Sequence, residues 1–130
     1  MEEALIAILL ANAGVAALVG ARVYPGVRPQ GASLPAVIFN RISGQPGYTM
    51  DGPDGSSESR VQVDAYAGSY GATKALARAA RLALSGLSGV HHGVTFQGVF
   101  MEGARDGFEG ESPERIFRVS MDFTVWAIEP

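Results

Sequence analysis

His91 and His92 are the only histidines in the chain, and there is no cysteine. An imidazole base, a Ser–His pair or a histidine-ligated metal would have to use this one dipeptide. Adjacent residues on an extended segment point to opposite faces, so the two rings do not converge on one ion. No carboxylate stands near them at a ligand spacing, and both are expected as solvated turn residues. The lack of cysteine also removes disulfides, Cys-zinc sites, thiol nucleophiles and iron–sulfur clusters. Asp51-Gly52-Pro53-Asp54-Gly55 brings two carboxylates close together, as a calcium loop does. It lacks the alternating oxygen ligands and the closing glutamate of an EF-hand, and its residue types suit a tight turn. The 17 glycines include no G-x-G-x-x-G between a strand and a helix, and no Walker A sequence occurs.

Two charged groups remain. Asp64 and Asp122 fall on the polar side of two strand-like segments, where Arg60 and Arg118 also fall, so cross-strand ion pairing is expected rather than an acid pair. Lys74, Arg78 and Arg81 form a stripe at helical spacing, suited to a solvated face or to a partner's acidic loop. No catalytic set, cofactor site or metal site emerges.

The elements that carry these residues can be read from periodicity. Glu2 to Val19 reads as a helix, or as two helical pieces meeting near Asn12, with Gly20 placed to end it. Its apolar run is preceded by two glutamates and interrupted by Asn12 and Gly14. It therefore reads as a buried helix, not a signal or membrane span. Val23 and Tyr24 suit a short extended piece, and Pro25 to Pro35 a loop. Ala36–Ser43 and Ser57–Tyr66 are strands; in the second, Val61, Val63 and Ala65 alternate with Arg60, Gln62 and Asp64. Ala72–Leu87 is a helix with Ser69 as N-cap and Gly86 or Gly89 as stop. At 100° per residue, Ala80, Ala83 and Leu87 fall within about 40° of Leu76. Val94–Glu102 and Ile116–Ile128 are the last strands, and Phe117, Val119, Met121, Phe123 and Val125 make one apolar row. Gly44–Ser56 and Gly103–Arg115 are expected as long loops.

The predicted order is α-β-β-α-β-β. It implies an α+β domain, residues 1–130, with two helices on one face of a mainly antiparallel four-stranded sheet. The chain has 130 residues, 47% hydrophobic and 18% charged, too apolar for disorder. Its net charge of −3 argues against a nucleic-acid-binding module, which would carry a basic surplus. It is expected to be a soluble protein of a cytoplasm or of a particle assembled there. Two oversized loops, a polar sheet face and no catalytic set fit a protein that works by assembling.

Four stretches carry a resemblance. Ala16-Ala17-Leu18-Val19-Gly20-Ala21-Arg22-Val23-Tyr24-Pro25, Leu34-Pro35-Ala36-Val37-Ile38-Phe39, Arg60-Val61-Gln62-Val63-Asp64-Ala65-Tyr66 with Ala75 and Leu76, and Phe117-Arg118-Val119-Ser120-Met121-Asp122-Phe123-Thr124-Val125-Trp126 follow in order. Together they resemble the tail-completion, or tail-terminator, proteins of long-tailed bacteriophages and of gene transfer agents. Gly103–Arg115 departs from the family pattern. The resemblance implies a structural virion protein at the head–tail junction, assembled in a bacterial cytoplasm without membrane contact. It implies a self-assembled ring, usually a hexamer, that ends tail-tube polymerisation and meets the tube protein and the head-side connector. DNA would pass through its channel without specific binding. It transfers no catalytic residue and no cofactor. The candidate interface residues are Tyr48, Thr49, Met50, Asp51 and Asp54 on the first long loop, and Lys74, Arg78 and Arg81 on the helix. The alternatives are another head–tail connector component or a small α+β enzyme.

Overall fold

The N-terminal apolar stretch folds as two helices, α1 (Glu2–Ala11) and α2 (Ala13–Val19), with axes 82° apart. The computed structural model describes residues 2–27, 33–49, 52–110 and 115–128. Asn12 makes the break. Its backbone is extended, and its Oδ1 accepts from the Val15 amide at 3.1 Å, capping α2. Asparagine competes with helix continuation in this way. Glu2 and Glu3 sit in the first turn of α1, at the favourable end of its dipole. Leu5 and Leu9 on α1, and Val15 and Val19 on α2, are one turn apart and fully buried. Among the described residues, no single helix is long and apolar enough to cross a membrane.

Six strands follow: β1 (Val23–Pro25), β2 (Ala36–Thr49), β3 (Gly52–Ala67), β4 (Gly89–His91), β5 (Val94–Glu109) and β6 (Ile116–Ile128). A third helix, α3 (Tyr70–Leu84), lies between β3 and β4. The sheet order is β1-β2-β3-β6-β5-β4. β1 runs parallel to β2, and the other pairs are antiparallel. The sheet curls into a half-barrel. Register shifts at Arg41/Ser43, Pro46/Tyr48, Phe96/Gly98 and Met101/Gly103 contribute, because bulges bend a strand and raise its twist.

One face of the sheet carries Val37, Phe39, Val61, Val63, Ala65, Val119, Met121, Phe123, Val125 and Ala127 into a common core with all three helices. The Ser69 hydroxyl accepts from the Ala72 amide, capping α3 as its sequence position predicts. The buried stripe of α3 is Thr73, Leu76, Ala77, Ala80 and Leu84. Ala83, expected inside, is half-buried, because the helix sits slightly rotated and ends at Leu84.

The expected architecture of two helices on a four-stranded, mainly antiparallel sheet is therefore corrected. Among the described residues there are three helices, because Asn12 caps a second segment. The described residues form six strands because two short ones take the sheet edges. β1 docks in parallel, Val23 opposite Val37, with the Val37 amide donating to the Arg22 carbonyl at 2.9 Å. β4 forms a hairpin with β5 through His92 (φ 50°) and Gly93 (φ 81°), the pair of positive φ values that a two-residue primed turn needs. Most of the described residues in the two expected long loops are strand as well. Gly44–Thr49 and Gly52–Ser56 continue β2 and β3 as a ribbon, with Gly44 opposite Ser59 and Thr49 opposite Gly52. Gly103–Glu109 continues β5 against β6, ending with Glu109 opposite Ile116. Pairing along one side holds these stretches extended, whatever their glycine, serine and proline content.

Phe123 has no solvent exposure and lies between Val61 and Met101 on the neighbouring strands. Phe123→Ala is expected to lower unfolding stability by about 3–5 kcal/mol. Urea denaturation with an unchanged m-value checks it.

Candidate functional site

The strand directions set the two ends of the subunit. β6 finishes opposite Ser56, so the outer part of the β2–β3 ribbon extends beyond the last residue of β6. The β5–β6 pairing ends at Glu109–Ile116 at the other end, where α3 begins. Tyr48, opposite Pro53, and Thr49, opposite Gly52, belong to the outermost pairs of the ribbon, and Asp54 belongs to its β3 side. Met50 and Asp51 lie outside the described residues. Lys74, Arg78 and Arg81 lie together on the outer side of α3. Lys74 is tied to the α3-start end, so ribbon and basic stripe are separate surfaces of one subunit.

Lys74 is clamped. Its Nζ donates to Asp106 Oδ1 at 2.9 Å, Tyr70 Oη donates to Asp106 Oδ2 at 2.9 Å, and Nζ lies 5.2 Å from the centre of the Tyr70 ring. The hydrogen bond to Asp106, then Tyr70, raises the Lys74 pKa. The same bonds hold Asp106 below its ordinary value of 3.8. Both side chains are nearly half exposed, at 45% and 44%, so solvent screens the pair and its worth is small. Phe117 packs edge-on to Tyr70, and Arg115 lies 4.9 Å above the Phe108 ring at the same end.

Arg78 and Arg81 have no ion-pair partner among the described residues. They rim a groove of about 330 Å³ between α3 and β5, whose walls include Ala77, Met101, Ala104, Val119 and Met121. The groove lies beside α3, which packs on β3 and β6 and leaves Met101 of β5 half-buried and Ala104 exposed.

The other sheet face is polar and internally paired. Arg105 donates to Asp122 Oδ2 at 2.8 Å and to Gln62 Oε1 at 3.1 Å, and Gln62 donates to both oxygens of buried Asp64. Arg60 lies 3.8 Å from Asp122. Arg118 reaches across Gly107, where a Cβ would stand 2.9 Å from its Nη2, to donate to Glu109 at 3.2 Å. A hydrogen bond with Tyr66 leads the interactions that raise its pKa further. The expected ion pairing is present, but the main partner of Asp122 is Arg105. At one end of this face Phe100 (53% exposed), Trp126 (41%) and Ile128 (36%) form an apolar patch. The Phe100 ring occupies the space above Gly98, which faces Trp126.

His91 Nε2 donates to the Ser88 carbonyl at 2.8 Å and its ring tilts against Phe96, while His92 occupies the turn. Among the described residues, no three His, Asp or Glu side chains converge as metal ligands. The sequence reading missed Tyr70, Arg105, Asp106 and Phe108. The available signal was alternation within Gly103–Glu109: Ala104, Asp106 and Phe108 on one face, Arg105, Gly107 and Glu109 on the other.

Residues 3–128 match the protein family described as Tail completion protein gp17. The chain belongs to that family. It is a structural virion protein with a tail-completion role, not an enzyme. The fold is similar to that of a chain in the virion of a native gene transfer agent (GTA) particle. The TM-score is 0.79 at 21% identity, over 98% of this chain and 94% of that one. Comparison with curated proteins gave no match.

Two outcomes follow. Asp106→Asn is expected to bring the Lys74 pKa down toward 10.5, read by NMR titration of its side chain. In the unaltered protein the Asp106 carboxyl should titrate below 3.8. Its small stabilising contribution is present above the ordinary carboxylate pKa and fades as pH falls through the lowered value. His91→Ala with His92→Ala is expected to leave particle completion at the wild-type level. Its cost is confined to stability, because alanine at φ 50° is strained by about 1–2 kcal/mol. Particle counts and a thermal melt separate the two effects.

Proposed function

We propose that the chain forms a ring, a hexamer, at the head-proximal end of the tail tube. There it ends tube polymerisation and joins the tail to the head-side connector, and DNA passes through its channel without being held. The ring would assemble in the host bacterial cytoplasm and contact no membrane. The observation that carries this reading is the family match over residues 3–128, to proteins that complete tails. The gene transfer agent likeness supports the fold. The net charge of −3 suits a conduit that must release its cargo.

The ribbon formed by the outer parts of β2 and β3 is assigned as an assembly element, reaching a ring neighbour or an adjoining tail or connector protein. A two-stranded ribbon standing alone is marginally stable in water, so added contacts would hold it. Its composition supports this. Tyr48 and Met50 are types enriched in interface cores, and Asp51 and Asp54 suit a neighbour's arginine.

Replacing Gly47–Gly55 by a two-residue turn tests the assignment. The shortened protein is expected to keep its fold by circular dichroism, while electron micrographs show overlong tails or tails that fail to join heads. Normal tails joined to heads would overturn it.

A further inference from the structure

We infer that the groove between α3 and the outer edge of β5 receives the β2–β3 ribbon of a second copy of this chain; this rests on the ring reading above. Three independent observations meet there.

The first is the groove itself. Its floor is apolar, with Met101, Ala104, Val119 and Met121, and its α3 rim carries Arg78 and Arg81. Lys74 on the same rim is already neutralised by Asp106. The two arginines therefore present cationic donors over an apolar trough, a surface suited to an acidic segment with apolar anchors.

The second is the strand that borders it. β4 pairs only with Val94–Phe96. The Gly86 amide donates to the Val99 carbonyl at 2.8 Å. Beyond that point the outer edge of β5, to Glu109, has no strand partner among the described residues. A long open edge is a template for adding another strand, and proteins commonly blunt it with lysine or proline. The stretch from Gly103 to Glu109 holds neither and runs in unbroken register with β6.

The third is the ribbon. From Gly44 to Ser59 it carries Asp51, Asp54 and Glu58 with Tyr48 and Met50, and no lysine or arginine. Its charge is opposite to that of the groove rim. At about 3.3 Å per residue, its outer pairs carry it roughly 10 Å past the end of β6. The outer edge of β2 beyond the β1 pairing is likewise without a strand partner among the described residues. Donor and acceptor are different surfaces of one chain, separated on the subunit. Their contact is heterologous, and a heterologous contact propagates around a ring where a two-fold one would stop at a dimer.

The test exploits the absence of cysteine. Asp54→Cys with Arg78→Cys, and separately Asp54→Cys with Arg81→Cys, are produced in the cells that assemble the particle. Particles are oxidised, purified and run on non-reducing denaturing gels. A ladder of covalent oligomers that collapses on reduction supports the contact. Particles that incorporate both double variants, complete their tails and yield only monomer bands overturn it. A charge swap gives a second reading. Arg78→Glu with Arg81→Glu is expected to lower completed-particle yield by at least about tenfold, and adding Asp54→Lys and Glu58→Lys to restore most of it, as complementary pairs do. No restoration, with all variants folded, overturns the pairing. Images of wild-type particles that lack a ring at the head-proximal tube end would sink the ring reading itself, a result distinct from a missing crosslink.

Discussion

The register between β3 and β6 is the constraint on which the subunit depends. Side chains alternate with a period of two, so sliding β6 by one residue would drive Arg118, Ser120, Asp122 and Thr124 into the core and put Val119, Met121, Phe123 and Val125 in water. The observed register, Val63 opposite Met121 and Ala65 opposite Val119, forbids this. The helices then have one apolar floor on which to settle, and α1, α2 and α3 share a core with that floor. The polar face is fixed by the same choice. Asp122 meets Arg105 and Arg60 because it stands opposite Gln62 on one side and Gly103 on the other.

From that centre the sheet becomes progressively less supported. β3 and β6 have a strand on each side, β2 and β5 are paired fully on their inner sides only, and β1 and β4 are stubs of three residues. Stability therefore resides in the middle of the molecule, while the surfaces free for association lie at its margins. Such a division lets contacts with neighbours vary without disturbing the register that holds the fold.

Periodic elements were legible in the sequence, and aperiodic ones were not. The Phe117–Val125 row, the Val61–Ala65 alternation and the Ser69 cap of α3 each express a local physical rule and are found where that rule puts them. The break near Asn12 stood as one of two readings, because a capping asparagine and an interrupted helix look alike until the chain direction is known. Gly44–Ser56 and Gly103–Arg115 misled because glycine and proline lower strand propensity, while the pairing that overrides it comes from residues far away in sequence. β1 was expected as a short extended piece at Val23 and Tyr24, but not as a sheet strand, and β4, three residues long, is too short to show a period. The basic stripe of α3 was legible as a stripe. Its division into a clamped Lys74 and two unpaired arginines was not, because Asp106 reaches it from the stretch read as a loop.

The elbow at Asn12 decides how the N-terminal apolar stretch is buried. Continued as one helix, Ala4 to Val19 would run straight for about 24 Å. The 82° turn divides that rod into two pieces that bury Leu5 and Leu9 from one side of the elbow and Val15 and Val19 from the other. One amide side chain thus sets the geometry of the N-terminal packing.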